Sequence, residues 1–179
     1  MTTGMGSPWH PVGEVRREFD NTFAAPPAGP PADRESLITL RVAGEAFAVR
    51  TMHITAVVNG RRIMPVPTRV AGLLGITALR GALLPVYDLA ALLGLPAGAG
   101  PGAWLMLTNR ETPVGFTFHE FEGQMEIERA CLSESGSAGS RKHLCAMARV
   151  GTANRAVIDV PGLVEEIRKR AGVTEPVKE

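Results

Sequence analysis

The side chains that could do chemistry are few in this chain of 179 residues, and they are scattered. Its histidines are His10, His53, His119 and His143, and no two of them have the spacing of a zinc pair on a helix. His119-Glu120-Phe121-Glu122 offers carboxylates but lacks the second histidine that a zinc-protease helix needs. His143 and Cys145 are near neighbours and on a strand would share a face, yet no third ligand and no orienting Asn or Asp accompanies them. Cys145 is better read as a buried strand residue. Ser137-Ala138-Gly139 lacks the nucleophile-elbow pattern, and Gly98-Ala99-Gly100-Pro101-Gly102 lacks the Lys-Ser/Thr pair that completes a phosphate cradle. Asp88 and Asp159 could be imagined as an acid/base pair, but each stands where a helix begins, which accounts for it without catalysis. The expectation is a protein that is not an enzyme and that uses no metal and no cofactor.

Composition narrows the partners. Lys and Arg total 19 against 18 for Asp and Glu, so a net charge of +1 supplies no broad field for nucleic acid or an anionic membrane. Aromatic residues make up only 5%, which argues against a base-stacking platform or an aromatic-lined sugar site. The cysteines, Cys131 and Cys145, are too few for a disulfide framework and fit free thiols in a reducing compartment. The first residues show no basic segment followed by an apolar run, and the apolar stretches elsewhere are too short to span a bilayer. A cytoplasmic protein is expected. A hydrophobic content of 45% suits one packed domain or two small barrels sharing a core.

The elements that must position these residues begin after a tail. Residues 1–35 carry Pro8, Pro11, Pro26, Pro27, Pro30 and Pro31 with few aliphatics, the composition of a disordered segment. Within it Val12, Val15, Phe19 and Phe23 fall at helical spacing, open either to a short docking helix or to a nascent one that frays. From Ser36 the period becomes two: Ile38, Leu40 and Val42 share one face, with Thr39 and Arg41 on the other, and Phe47 and Val49 continue a hairpin. Short strands are expected at Ile54 to Val58, Gly75 to Leu79, Ala82 to Tyr87, Trp104 to Thr108, Val114 to Phe118, Met125 to Glu128, Leu144 to Val150 and Arg155 to Asp159. Leu95 to Gly102 and Ser133 to Ser140 read as exposed linkers. Two helices follow strands that end in aspartate: Asp88 caps Ala90 to Leu93 before Gly94, and Asp159 caps Pro161 to Arg170 before Gly172. This repeated strand-Asp-helix unit suggests two related barrel halves within residues 36–171, with 172–179 a C-terminal tail.

The stretch Gly75-Ile76-Thr77-Ala78-Leu79-Arg80-Gly81, running on through Pro85-Val86-Tyr87-Asp88-Leu89 to Gly94, resembles the signature of CheW-like domains. The flanks agree: Leu37 to Val49 is similar to the family's opening hairpin, Pro65 and Pro67 to its proline-containing approach, and Arg155 to Leu163 to its closing strand and helix. The resemblance covers about Ser36 to Arg170. It implies an all-β fold of two small SH3-like five-stranded β-barrels packed together. It also implies an adaptor that couples the regulatory domain of a CheA-type histidine kinase to the cytoplasmic tip of chemoreceptors. By the same resemblance Arg80, Ile54 and Gly75 fall at positions of partner contact or its support, while Gly81, Pro85, Asp88 and Asp159 are structural. Gly81 permits a positive-φ turn that presents the Arg80 guanidinium at a strand end, where its planar fork can engage a carboxylate or carbonyl. The chain departs from the family at Ala56, where an acidic residue is common, and at Phe118-His119-Glu120, where a Val-Asp pair is usual. These departures keep open a divergent accessory adaptor that binds kinase or receptor alone. A small-ligand-binding β-barrel is the alternative from a different class.

Overall fold

The inner strands of this chain bury both faces, because they lie between a small core of their own barrel and a larger core shared by the two. In a computed structural model describing residues 33–79, 81–96, 100, 102–108, 113–134 and 142–171, the strands are β1 (Arg34–Val42), β2 (Glu45–Arg50), β3 (Ile54–Asn59), β4 (Leu73–Leu79), β5 (Ala82–Asp88), β6 (Trp104–Thr108), β7 (Gly115–Phe118), β8 (Glu120–Glu128), β9 (Leu132–Glu134), β10 (Leu144–Val150) and β11 (Ala153–Ile158). The helices among the described residues are α1 (Leu89–Leu92) and α2 (Val160–Ala171); the possible helix Val12–Phe23, the rest of residues 1–32, residues 172–179 and Arg80 lie outside the described residues.

The strands form two sheets on one plan. The first has the order β8-β1-β2-β11-β10-β9 and the second β3-β6-β7-β5-β4. In the first, antiparallel hairpins β1-β2 and β10-β11 meet through a parallel contact of β2 with β11. In the second, hairpins β6-β7 and β4-β5 meet through a parallel contact of β7 with β5. A capped helix follows β11 in one and β5 in the other. The repeated strand-Asp-helix unit is thus one unit per sheet, and the mostly-β double-barrel fold expected from the sequence is the one found. The first sheet adds a sixth strand, β9, whose Ser133 and Glu134 pair with Met147 and Ala146 rather than starting a linker. β1 takes in Arg34 and Glu35, assigned by composition to the tail, because they pair with Glu128 and Ile127.

Burial follows the alternation. Leu37, Ala48, Ile127, Ala146, Ala148 and Val157 fill the first barrel, and Leu84, Val86, Leu105 and Leu107 the second. Between them Ile38, Leu40, Val42, Phe47, Tyr87, Leu89, Met106, Phe116, Phe118, Ile158 and Leu163 form one central cluster. β6 shows the rule most simply, since Trp104 and Met106 face the centre while Leu105 and Leu107 face the second barrel. β1 is not half-buried as its polar Thr39 suggests: Thr39 is buried, and its hydroxyl donates to the Gly123 carbonyl at 3.2 Å.

Candidate functional site

Ile54 opens β3 directly after a 3-10 turn, Thr51–His53. Its strand contains a bulge: Ile54 pairs with Thr108 and Ala56 with Leu107, leaving Thr55 as the extra residue. The bulge switches the parity of the strand. Ile54 and Val57 therefore turn to the central cluster, while Ala56 and Val58 turn to the core of the second barrel. Thr55 is tied down by a hydrogen bond from its hydroxyl to the Thr108 carbonyl at 2.9 Å. The result is a surface depression of about 200 Å3 between the two sheets, walled by Ile38, Ile54, Ala56, Val57 and Phe121, with Thr51, Thr55 and Gln124 supplying polar atoms. Trp104 backs the Phe121 wall, with ring centroids 5.3 Å apart.

The signature residues divide between surface and scaffold. Gly75 is buried in β4 at φ +152°, and a Cβ there would come within 2.1 Å of the Met64 carbonyl oxygen. Only glycine lets the Met64 backbone close its two hydrogen bonds with Ile76, at 2.8 and 2.9 Å. Gly75 therefore supports the segment leading to β4 and presents no side chain. Gly81 lies in the β4–β5 turn at φ +83°, the left-handed conformation expected of it. Pro85 pairs with Ile76 just before the parallel contact with β7 begins at Val86, where its missing N–H is tolerated. Asp88 caps α1 by accepting from the Ala90 N–H at 3.0 Å, and Asp159 caps α2 by accepting from the Gly162 N–H at 3.1 Å.

Sequence reasoning left several polar residues without a role. His119, at the departure from the family pattern, accepts through Nδ1 from the Ala43 N–H at 3.1 Å and holds the β1–β2 turn, where Ala43 has φ +49°. Glu122 pairs with both Arg41 and Arg155. The alternation of Phe121, Gly123, Met125 and Ile127 was a signal for the full length of β8, which the sequence reading shortened to Met125–Glu128. His143 and Cys145 do not share a face. His143 turns away at φ +65° to place Nε2 2.6 Å from Glu166 on α2, while Cys145 Sγ lies 3.6 Å from the Val157 carbonyl. Burial pushes the Cys145 thiol pKa up, which favours its protonated form. Among the described residues no group of three or more His, Cys, Asp or Glu could hold a metal ion, and no helix is long and apolar enough to cross a membrane.

Two linked barrels around a common core, with a bulged strand opening an apolar depression between them, define an all-β double-barrel domain. The CheW-like domain model matches residues 36–168, and the chain belongs to that family. It is 40% identical over 63 residues to a probable chemotaxis protein CheW of Rhizobium etli and 38% identical over 61 residues to the chemotaxis protein CheW of Rhizobium meliloti. These matches cover 35% and 34% of this chain, and they span only 40% and 39% of the curated relatives' length. The crystal structure of the scaffolding protein TtCheW from Thermoanaerobacter tengcongensis superposes with a TM-score of 0.64 at 16% identity, over 69% of this chain and 88% of that one, and shows the same fold.

Proposed function

We propose that this chain is a non-enzymatic adaptor that couples a CheA-type histidine kinase to the cytoplasmic tip of chemoreceptors, working at the inner face of receptor arrays. The observation that carries this reading is the depression around Ile54, which offers apolar area with a polar rim instead of converging titratable groups. The related proteins named for chemotaxis and for scaffolding point the same way. In this reading Ile54 contacts a partner directly, and Gly75 supports the surface by fixing the Met64 backbone. Arg80, between the end of β4 and Gly81, supplies a second contact. Co-purification with the kinase regulatory domain and a receptor-tip fragment, separately and together, tests it. Capture of both supports coupling, capture of one makes the chain an accessory adaptor, and capture of neither rejects the adaptor role. Arg80→Ala is expected to weaken one of these bindings at least about tenfold with the fold intact, and Arg80→Lys to restore only part of it.

A further inference from the structure

The outward face of the β4–β5 hairpin is widened by the chain that leads into it. Met64 closes its two backbone hydrogen bonds with Ile76, and the Thr77 hydroxyl donates to the Arg62 carbonyl at 2.9 Å, so residues 62–64 lie fixed alongside β4. Ile63 turns inward to the core of the second barrel, which leaves Arg62 and Met64 on the face that carries Ile76, Ala78, Leu83 and Pro85. In the antiparallel register Met64, Ile76 and Pro85 make one row, and Arg62, Ala78 and Leu83 the next. Met64 is 44% exposed and Leu83 65%, so this face is both apolar and open. Exposed apolar side chains add little to folding, and where they are contiguous and rimmed by charge they mark a contact site.

The charge beside it has one sign. From Thr51 to Tyr87 the chain has no acidic residue and carries Arg61, Arg62, Arg69 and Arg80. Among the described residues Arg61, Arg62 and Arg69 have no ion pair, whereas Arg41, Arg50 and Arg155 of the first sheet are each paired with a glutamate. We propose that this face docks an acidic amphipathic helix of a partner protein. Its apolar stripe covers Met64, Ile76 and Leu83, and a flanking carboxylate meets Arg62. Three adjacent chain segments about 4.8 Å apart make a face about 10 Å across, which suits one helix of about 10–12 Å diameter. A second copy of this chain fits less well. Two such faces would bring both Arg62 side chains into one narrow patch, and Glu120, Glu122 and Glu126 along β8 already pair with Arg41, Arg155 and Arg34. A net charge of +1 supplies no field to hold the chain on an anionic bilayer. β4 and β3 are opposite edges of the second sheet, so this face is not the Ile54 depression, and the inference does not rest on the adaptor reading.

The test follows the methyl resonances of Met64 and Leu83 in the full chain by NMR. The probes are a synthetic helical peptide with a leucine stripe flanked by glutamates, its lysine counterpart, and a scrambled acidic peptide of the same composition. The acidic helix is expected to shift both methyl groups saturably, and the other two peptides to bind at least about tenfold more weakly. Leu83→Gln should weaken the acidic helix about tenfold and Arg62→Gln about threefold, with melts unchanged because both side chains are exposed. Ile54→Thr should bind it like the wild type, which separates this outcome from that of the adaptor reading. The proposal is overturned if the acidic helix moves neither methyl group, if acidic and basic helices bind alike, or if folded Leu83→Gln binds like the wild type. A wild-type dimer that Leu83→Gln dissolves would give the face to a second copy, and binding to phosphatidylglycerol vesicles lost in that variant would give it to a membrane; either result also overturns it. Should Leu83→Gln unfold, the three peptides on the wild-type chain decide the matter.

Discussion

In the first sheet Arg41, Glu122 and Arg155 link β1, β8 and β11 by ion pairs, and Arg50 on β2 pairs with Glu35 on β1. In the second sheet the outer side of the β4–β5 hairpin pairs Ile76 with Pro85 and Ala78 with Leu83, and Leu83 is 65% exposed. The strand orders match, hairpin for hairpin, yet the first sheet sets paired charges on the face that carries its own small core, whereas the β4–β5 hairpin of the second carries apolar side chains on the face turned away from its core. The capped helices differ as well, with α1 four residues long and α2 twelve. Both sheets draw stability from buried apolar area in the same central cluster, so the remaining side chains of each are free to diverge.

The strongest test of that shared core is Phe116→Ala. Phe116 is fully buried in the central cluster, and its truncation should cost about 3–5 kcal/mol. Denaturant unfolding should remain one transition; two separated transitions would mean that the sheets are independent units. Next in size is a contrast of glycines in the two sheets. Gly75→Ala forces a Cβ against the Met64 backbone and should cost about 2 kcal/mol or more, whereas Gly123→Ala in β8, at φ +155° with open space around it, should cost about 1 kcal/mol. Equal losses would remove the close approach at Met64 as the reason for Gly75. Removing the caps comes third: Asp159→Ala and Asp88→Ala should each lose about 0.5–2 kcal/mol. Asp159→Ala should lose more, because α2 carries Val160, Leu163 and Ile167 into the core.

The smallest expected effect is a pH dependence. The folded-state pKa of His53 lies below its usual 6.5, so as pH falls through the range below 6.5 the unfolded chain binds the proton first and stability is lost. His53→Gln should flatten that part of the stability profile, and an unchanged profile would contradict a neutral, buried ring.

The caps and the Gly81 turn were legible because they are local: an aspartate before a helix and a glycine at a positive-φ turn do their work within a few residues. Strand pairs were legible wherever period two held, as at Trp104 to Thr108 and Leu144 to Val150. What stayed hidden depends on distant chain. Period two places Ile54, Ala56 and Val58 on one face, and only the bulge at Thr55 reveals that Ile54 belongs to the groove between the sheets. The need for glycine at position 75 comes from Met64, and the role of His119 from Ala43. His53 lines a surface pocket together with Val160, Pro161 and Val164 of α2, near the other end of the domain, so nothing beside His53 in the chain announces it.

The central claim, that the depression around Ile54 is a partner contact, is tested most directly by calorimetric titration of the full chain against the kinase regulatory domain and against the receptor tip. Wild type should bind both. Ile54→Thr, with a thermal melt for each variant as control, should bind at least one of them about tenfold or more weakly, out of proportion to any loss of folding. Binding of both partners at wild-type strength by Ile54→Thr, or of neither by the wild type, would contradict the account.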